Sequence, residues 1–347
     1  MELGVYSFGD VQRNGKKLGS TSEGITNLLE AMQIADKVGL DFFGVGEHHT
    51  SYFPASSPGT ILAAAAATTK QIKLGSAVSV LSTDDPVRIY QQFATANIIS
   101  GGRVEVIAGR GSSTESFPLF GYELKDYDAL YTEKLDLLLQ LNNLDKNERI
   151  TWEGIHRAPL QDAQIVPQSD DPLKIWLATG GNPDSSIRAA ALGLPIAYAV
   201  IGGRISRFAP LVDLYHAAAK QYGTESDALQ VSIASPGYIA DSAQDAKETF
   251  WKAWGWTMTE LGKVRGFAAP DRAHYDAESN HDGALFAGSA DEIADRIIEL
   301  HKRIGHSRHI FQMDVGQLPH DKFLHSIELL GTVVAPKVRK ALASGKK

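Results

Sequence analysis

The chain has 347 residues, 43% hydrophobic and 22% charged, with a formal net charge of -7 and no cysteine. These values exclude a disordered or low-complexity chain, a disulfide framework, a thiolate metal site and a cysteine nucleophile. An acidic balance without a long basic run argues against nucleic acid or an anionic membrane surface as partner, and for a small molecule. The first six residues read as a strand and not as a secretory leader, and no apolar run reaches the roughly 20 residues that span a bilayer, so a soluble cytoplasmic protein is expected.

Apolar runs of strand length alternate with segments of helical period, the pattern of repeated βα units that feed a parallel sheet. Residues 3–8 read as the first strand, and Ile25, Leu28, Leu29, Met32 and Ala35 line one face of a helix that Gly39 ends. Strands two to four are expected over 41–46, 72–80 and 103–108, with helices over 61–69, 87–100 and 130–141. Strands five to eight follow at 174–178, 196–200, 229–240 and 308–313. Their helices cover 185–192 and 208–222, a Ser289–Glu292 capping box opens one that runs through His301, and the last covers 321–333. Eight strands and eight helices imply an α/β fold of the (β/α)8 or TIM-barrel type, in one domain over residues 1–347.

Three stretches stand outside the repeat: 111–127 after strand four, 145–172 before strand five and 241–288 after strand seven. The first and third fall on the face where barrel enzymes keep their active sites, and are expected to be lid-like insertions. The second alternates apolar and polar residues from Ile150 to His156 around Glu153-Gly154, which reads as a small hairpin.

Glu47-His48-His49 stands just past strand two, at the functional end of the barrel. Neighbours on an extended chain point opposite ways, so one imidazole of the pair is expected to face inward. A histidine gives or takes a proton near neutral pH, which makes His48 and His49 the candidate catalytic residues; a plain hydrogen-bonded loop histidine is the alternative. Ser76, Ala77 and Val78 end strand three with small side chains, which suits either a flat ring laid against backbone or tight barrel packing.

Arg110, between Gly109 and Gly111 after strand four, offers a guanidinium fork suited to phosphate. After strand five, Thr179, Gly180, Gly181, Asn182 and Ser185 lead into a helix start whose amides can meet an anion. The alternative there is an ordinary helix start with Asp184 as N-cap. Gly202-Gly203-Arg204 after strand six either extends this cradle or makes a turn. No metal site is expected: His274, Asp276, His281 and Asp282 lack a ligand spacing, and strand one ends in Tyr6-Ser7-Phe8-Gly9 without a His-x-His. No Walker loop or G-x-G-x-x-G follows strand one, so a Rossmann reading has no support.

In order and spacing, three blocks resemble the luciferase-like monooxygenase family. They are Gly44-Val45-Gly46-Glu47-His48-His49; residues 74–83 with Pro86-Val87-Arg88; and Gly101-Gly102-Arg103 leading to Gly109-Arg110-Gly111. The resemblance covers nearly the whole chain, and residues 178–181 and 321–336 look closest to the family's uncharacterised flavin oxidoreductases. It implies FMN as cofactor, with the ring above the barrel mouth and the phosphate near strands four and five. By the same resemblance His48 takes the catalytic position, Ala77-Val78 a non-proline cis peptide, and Arg110 the phosphate. After strand five this chain has Gly181, Asn182 and Ser185 where luciferase has acidic and hydroxyl side chains.

What the resemblance implies of function is monooxygenation of a small organic substrate by reduced FMN and O2. It also implies an NAD(P)H-dependent flavin reductase as supplier of reduced FMN, and a homodimer. Two alternatives stay open: a deazaflavin-dependent dehydrogenase or reductase on the same barrel, and a non-catalytic flavin-binding protein.

Overall fold

The first strand shows no polar alternation because both of its faces are covered: in β1 (Glu2–Ser7) every residue after Glu2 is buried. The computed structural model describes residues 1–111 and 114–344, without the side chains of Val264 and Arg265. Ser112 and Ser113 of the first expected insertion, and residues 345–347, lie outside the described residues.

The repeat continues through α1 (Thr21–Lys37), β2 (Phe42–Val45), α2 (Pro58–Thr68), β3 (Lys73–Ser76, resumed at Ser79–Val80), α3 (Pro86–Ser100) and β4 (Val104–Gly109). Beyond α4 (Ser116–Phe120) and α5 (Tyr127–Asn142) come β5 (Lys174–Thr179), α6 (Pro183–Ala191), β6 (Ile196–Ala199), α7 (Ala209–Tyr222) and β7 (Val231–Ala240). The last part holds α8 (Ala243–Arg265), α9 (Arg272–Glu278), α10 (Ala290–Ile304), β8 (Arg308–Gln312), α11 (His320–Leu329) and, past a π-helical turn, α12 (Ala335–Ser344). Every barrel strand is parallel to its neighbours. Tyr6 of β1 pairs with Gly44 of β2 and Gln312 of β8, and Leu177 of β5 with Ala108 of β4, which closes the ring. The chain is a (β/α)8 TIM barrel, as the alternation implies.

Local chemistry sets the helix starts. Ser20 and Glu23 form a capping box on α1, and the expected Ser289–Glu292 box opens α10. At α6 the cap falls to Asn182 and not to Asp184, because Pro183 takes the first helical position.

Two stretches differ from the sequence reading. The third strand is not continuous over 72–80: it stops at Ser76, passes through a cis peptide at Ala77–Val78, as the resemblance implies, and resumes at Ser79. The seventh strand outruns the barrel, and Gly237–Ala240 pair in parallel with Phe286–Ser289, a short strand hidden in the stretch expected to be a lid. That stretch is mostly a packed helical unit, with Phe250, Trp254 and Tyr275 buried. It still reaches the functional face, where Trp256 of α8 meets Tyr52 edge-on at 5.5 Å. The expected hairpin is present as Arg149–Trp152 against Leu160–Gln164, and Glu133 of α5 holds its turn by accepting from the N–H groups of Ile155, His156 and Arg157.

Inside the ring, Tyr6, Phe42, Ile107, Trp176, Ala197 and Ile310 pack into a cluster separate from the larger core between strands and helices. Below it, at the N-terminal ends of the strands, Arg308 is fully buried and ion-paired to Glu2 at 2.6 Å and Glu105 at 2.7 Å. Its guanidinium lies over the rings of Phe42 and Trp176, and Trp176 Nε1 donates to Glu105 at 2.9 Å. This charged plug lies beneath the interior cluster, at the end opposite the C-terminal face.

Candidate active site at the C-terminal barrel mouth

A cavity of about 590 Å³ opens above the interior cluster, with Tyr6, Ile107 and Ile310 among its deep residues and the ends of β2 to β6 around its wall. Two glycines let the wall close up. A Cβ added at Gly46 would sit 2.2 Å from the Phe8 ring, and one at Gly109 would sit 2.6 Å from the Val78 side chain. These close approaches bring Phe8, Ala77 and Val78 to the cavity surface.

Both histidines reach the cavity. The expected opposition between them does not apply, because β2 ends at Val45 and Gly46 to His49 follow an irregular path. His48 Nδ1 lies 2.7 Å from Glu115 Oε1, and its ring is flanked by Phe8 at 4.5 Å and Phe53 at 5.2 Å. Burial works to raise the Glu115 carboxyl. The hydrogen bond and charge of His48, with the backbone amides of Glu115 and His49, outweigh it and hold the group at about 2. Glu115 is therefore an acceptor, and the proton between the two groups sits on Nδ1, leaving Nε2 to exchange protons. His49 Nε2 lies 3.1 Å from Glu47 Oε1, while the other oxygen of Glu47 accepts from Val80 N–H at 2.8 Å.

Arg110 lines the wall past β4, its guanidinium 4.9 Å from the Tyr131 ring. Asp128 Oδ1 is 3.2 Å from Nε, within ion-pair range but off the N–H direction, so Nε is buried without a hydrogen bond. The hydroxyls of Ser116 and Ser185 are likewise buried without partners among the described residues. A buried donor left free is what an anionic oxygen satisfies, and of these three groups Arg110 has both the place on the wall and the charge to meet a phosphate.

The cradle is narrower than the sequence suggests. Thr179, Gly180 and Asn182 line the cavity, and a Cβ added at Gly180 would meet nothing within 4 Å. The amides of Gly181 and Asn182 donate to Thr179 Oγ1 at 3.2 Å, and Asn182 Oδ1 accepts from Asp184 N–H, so part of the turn is self-satisfied. Ser76, Gly181, Ser185, Gly202 and Gly203 stand outside the wall. Ser76 Oγ is bonded to the Ile107 backbone, and Gly203 N–H donates to Glu278 at 2.6 Å. Arg204 turns away to Asp282 at 2.8 Å, and Arg207, three residues on, lines the cavity instead. Among the described residues no group of three or more His, Asp or Glu is placed to hold a metal ion.

A family profile described as luciferase-like monooxygenase matches residues 1–311. The chain belongs to the luciferase-like monooxygenase family. It is similar to the 4-hydroxyprotoasukamycin monooxygenase of Streptomyces nodosus subsp. asukaensis, with 24% identity over 327 residues that cover 90% of this chain and 87% of the relative. Among solved structures it resembles the oxygenating constituent of 3,6-diketocamphane monooxygenase from Pseudomonas putida, a type II Baeyer-Villiger monooxygenase in complex with FMN. The TM-score is 0.75 at 20% identity, over 97% of this chain and 98% of that one. An F420-dependent secondary alcohol dehydrogenase in complex with an F420-acetone adduct also gives a TM-score of 0.75, at 18% identity over 97% and 99%. The same barrel thus carries an FMN-complexed monooxygenase and an F420-dependent enzyme.

Two wall residues of this luciferase-like barrel escape sequence reasoning. Glu115 sits in an insertion without periodicity, where nothing marks it as the partner of a histidine 67 positions earlier. Arg207 carries a legible signal, a cation shortly after the Gly202-Gly203 pair, but the adjacent Arg204 is the more obvious reading. No described helix is long and apolar enough to cross a membrane.

Proposed function

We propose that this chain is the oxygenating component of a flavin-dependent monooxygenase that uses reduced FMN and O2 to oxidise a small organic substrate. The observation that carries this reading is the union, in one cavity, of an anion-binding end at Arg110 and Thr179 to Asn182 with an acid–imidazole pair at His48 and Glu115. When bound, reduced FMN supplies the electrons that activate O2. Arg110, Thr179, Gly180 and Asn182 hold the phosphate, with the buried Ser185 hydroxyl behind them, and Ala77 and Val78 offer the wall for a flat ring. His48 gives or takes a proton at Nε2, Glu115 fixes its tautomer, and Phe8 and Phe53 keep water from the imidazole. His49, tied to Glu47, is the second proton-carrying group of the wall.

An oxygenating component requires delivered reduced flavin, so an NAD(P)H-dependent flavin reductase is the partner in this reading, in the cytoplasm. The assembly proposed is a homodimer through helices of the early βα units, where α3 exposes Ile98 and Ile99. The equal likeness to an F420-dependent dehydrogenase supports a second reading, hydride chemistry on a deazaflavin, in which the same His48–Glu115 pair handles the substrate proton. Titration with FMN, riboflavin and a deazaflavin separates the two. Tight FMN binding with riboflavin weaker is the expected result; preference for the deazaflavin transfers the site to the second reading.

A further inference from the structure

The cavity wall divides by polarity. Its two arginines follow β4 and β6, and β6 stands four strands from β2 in a ring of eight. At the β2 end the wall carries two carboxylates, Glu47 and Glu115, each already engaged with an imidazole. Against burial, the hydrogen bond and charge of His48 hold the Glu115 carboxyl low, at 2.7 Å from the imidazole.

The surfaces between and outside these pairs are apolar rings. Phe8 and Phe53 flank His48, and Phe120 meets His49 edge-on at 5.1 Å. Phe120 and Leu119 are 49% and 60% exposed on α4, and Tyr52, 43% exposed, leans on Trp256 across the loop after β2. Through Phe120, which touches His49, and Phe53, which touches His48, apolar rings outside the cavity wall reach both imidazoles, and Leu119 precedes Phe120 on α4. Large apolar side chains left exposed at the mouth of a cavity mark a surface that something apolar covers. Continuity of the rings into the cavity points to a small molecule passing inward.

We infer that the substrate is an uncharged aromatic or alkyl compound that enters over Leu119 and Phe120 and stops beside His48, and that anionic compounds are rejected there. This rests on the reading of the Arg110 end as the cofactor's. A carboxylate at the β2 end would meet two carboxylates already engaged with their imidazoles, and among the described residues the arginines of the wall, Arg110 and Arg207, follow β4 and β6 instead, so the anion gives up its hydration for little return.

The test uses 2-naphthalenemethanol and 2-naphthoate, alike in ring and size, titrated calorimetrically into the full-length protein saturated with FMN. The neutral probe is expected to bind at least about tenfold tighter than the anion. Phe120→Ala, at an exposed position that leaves the fold intact, is expected to weaken the neutral probe by about three- to tenfold. Glu115→Gln is expected to narrow the gap between the probes. Equal or tighter binding of 2-naphthoate, no saturable binding of the neutral probe, or no effect of Phe120→Ala overturns the inference. Failure of FMN to bind instead overturns the flavin reading, and the same two probes on the protein alone still decide the substrate class.

Discussion

Glu115 Oε1 stands 2.7 Å from His48 Nδ1, and because the carboxyl is held at about 2 the shared proton belongs to the imidazole. A glutamine at this position presents an amide in place of a full charge and can donate to Nδ1, which reverses the tautomer. Glu115→Gln is expected to lower kcat by about 10- to 100-fold while leaving the affinity for FMN unchanged, and Glu115→Asp to restore part of the loss. Steady-state kinetics beside a flavin titration checks this. A variant that loses FMN affinity and keeps kcat places Glu115 in cofactor binding instead.

Arg110→Ala removes the half-buried cation of the proposed anion-binding end. Losing a charged hydrogen-bond pair costs about 1.5–3 kcal/mol, so the Kd for FMN is expected to rise by roughly ten- to a hundredfold. Riboflavin, which has no phosphate, serves as the control and should bind wild type and variant alike. A parallel loss for both ligands assigns Arg110 to the shape of the wall and not to the phosphate.

The barrel was legible because its strands, buried on both faces, read as short continuous apolar runs separated by amphipathic helices, and eight such units leave few alternatives. What was lost lay where tertiary contacts override local pattern. Residues 72–80 are apolar enough for one strand, yet the chain breaks at Ala77–Val78. Phe286–Ser289 pairs only because β7 extends past the barrel, and no local signal reports the length of its neighbour. The start of α8 was readable from Ser242 with Asp245 three positions on, but Gly255 and its threonines blur the apolar period. In the site, the places of His48 and Arg110 on the cavity wall followed from their positions after strands two and four. Glu115 did not, because its role depends on how the insertion folds back over the mouth.

Stability should depend strongly on the plug beneath the barrel. Glu105 accepts from Arg308 and Trp176, all three of them buried. Glu105→Ala leaves the Arg308 guanidinium with only Glu2 as counter-charge, and breaking such a buried pair costs about 3–5 kcal/mol. Chemical denaturation is expected to show a loss of that size. A loss below about 1 kcal/mol would mean that water or Glu2 compensates the charge.

Asp10 and Asp314 introduce a pH dependence at the other end of the barrel. Both are buried after β1 and β8, and Ser7 donates its hydroxyl to Asp314. Burial raises both above the usual carboxylate range, and the charge of Asp314 raises Asp10 further. The folded protein therefore keeps protons that the unfolded chain releases near pH 4, and stability falls as pH rises above that point. Asp314→Asn keeps an oxygen acceptor for Ser7 and removes one of the two charges. Melting curves from about pH 5 to 8 should show Tm falling with pH in the wild type and a flatter profile in the variant. Parallel profiles would assign the slope to other groups.

Oxygen transfer itself is the most direct test of the proposed activity. The protein is mixed with reduced FMN, isotopically labelled O2 and a panel of uncharged aromatic and alkyl compounds, and products are read by mass spectrometry. The expected result is a product carrying one labelled oxygen atom, formed about 100- to 10,000-fold more slowly by His48→Ala, whose FMN affinity is unchanged. Substrate oxidation that needs a deazaflavin and gains no label, or a labelling rate untouched by His48→Ala, contradicts it.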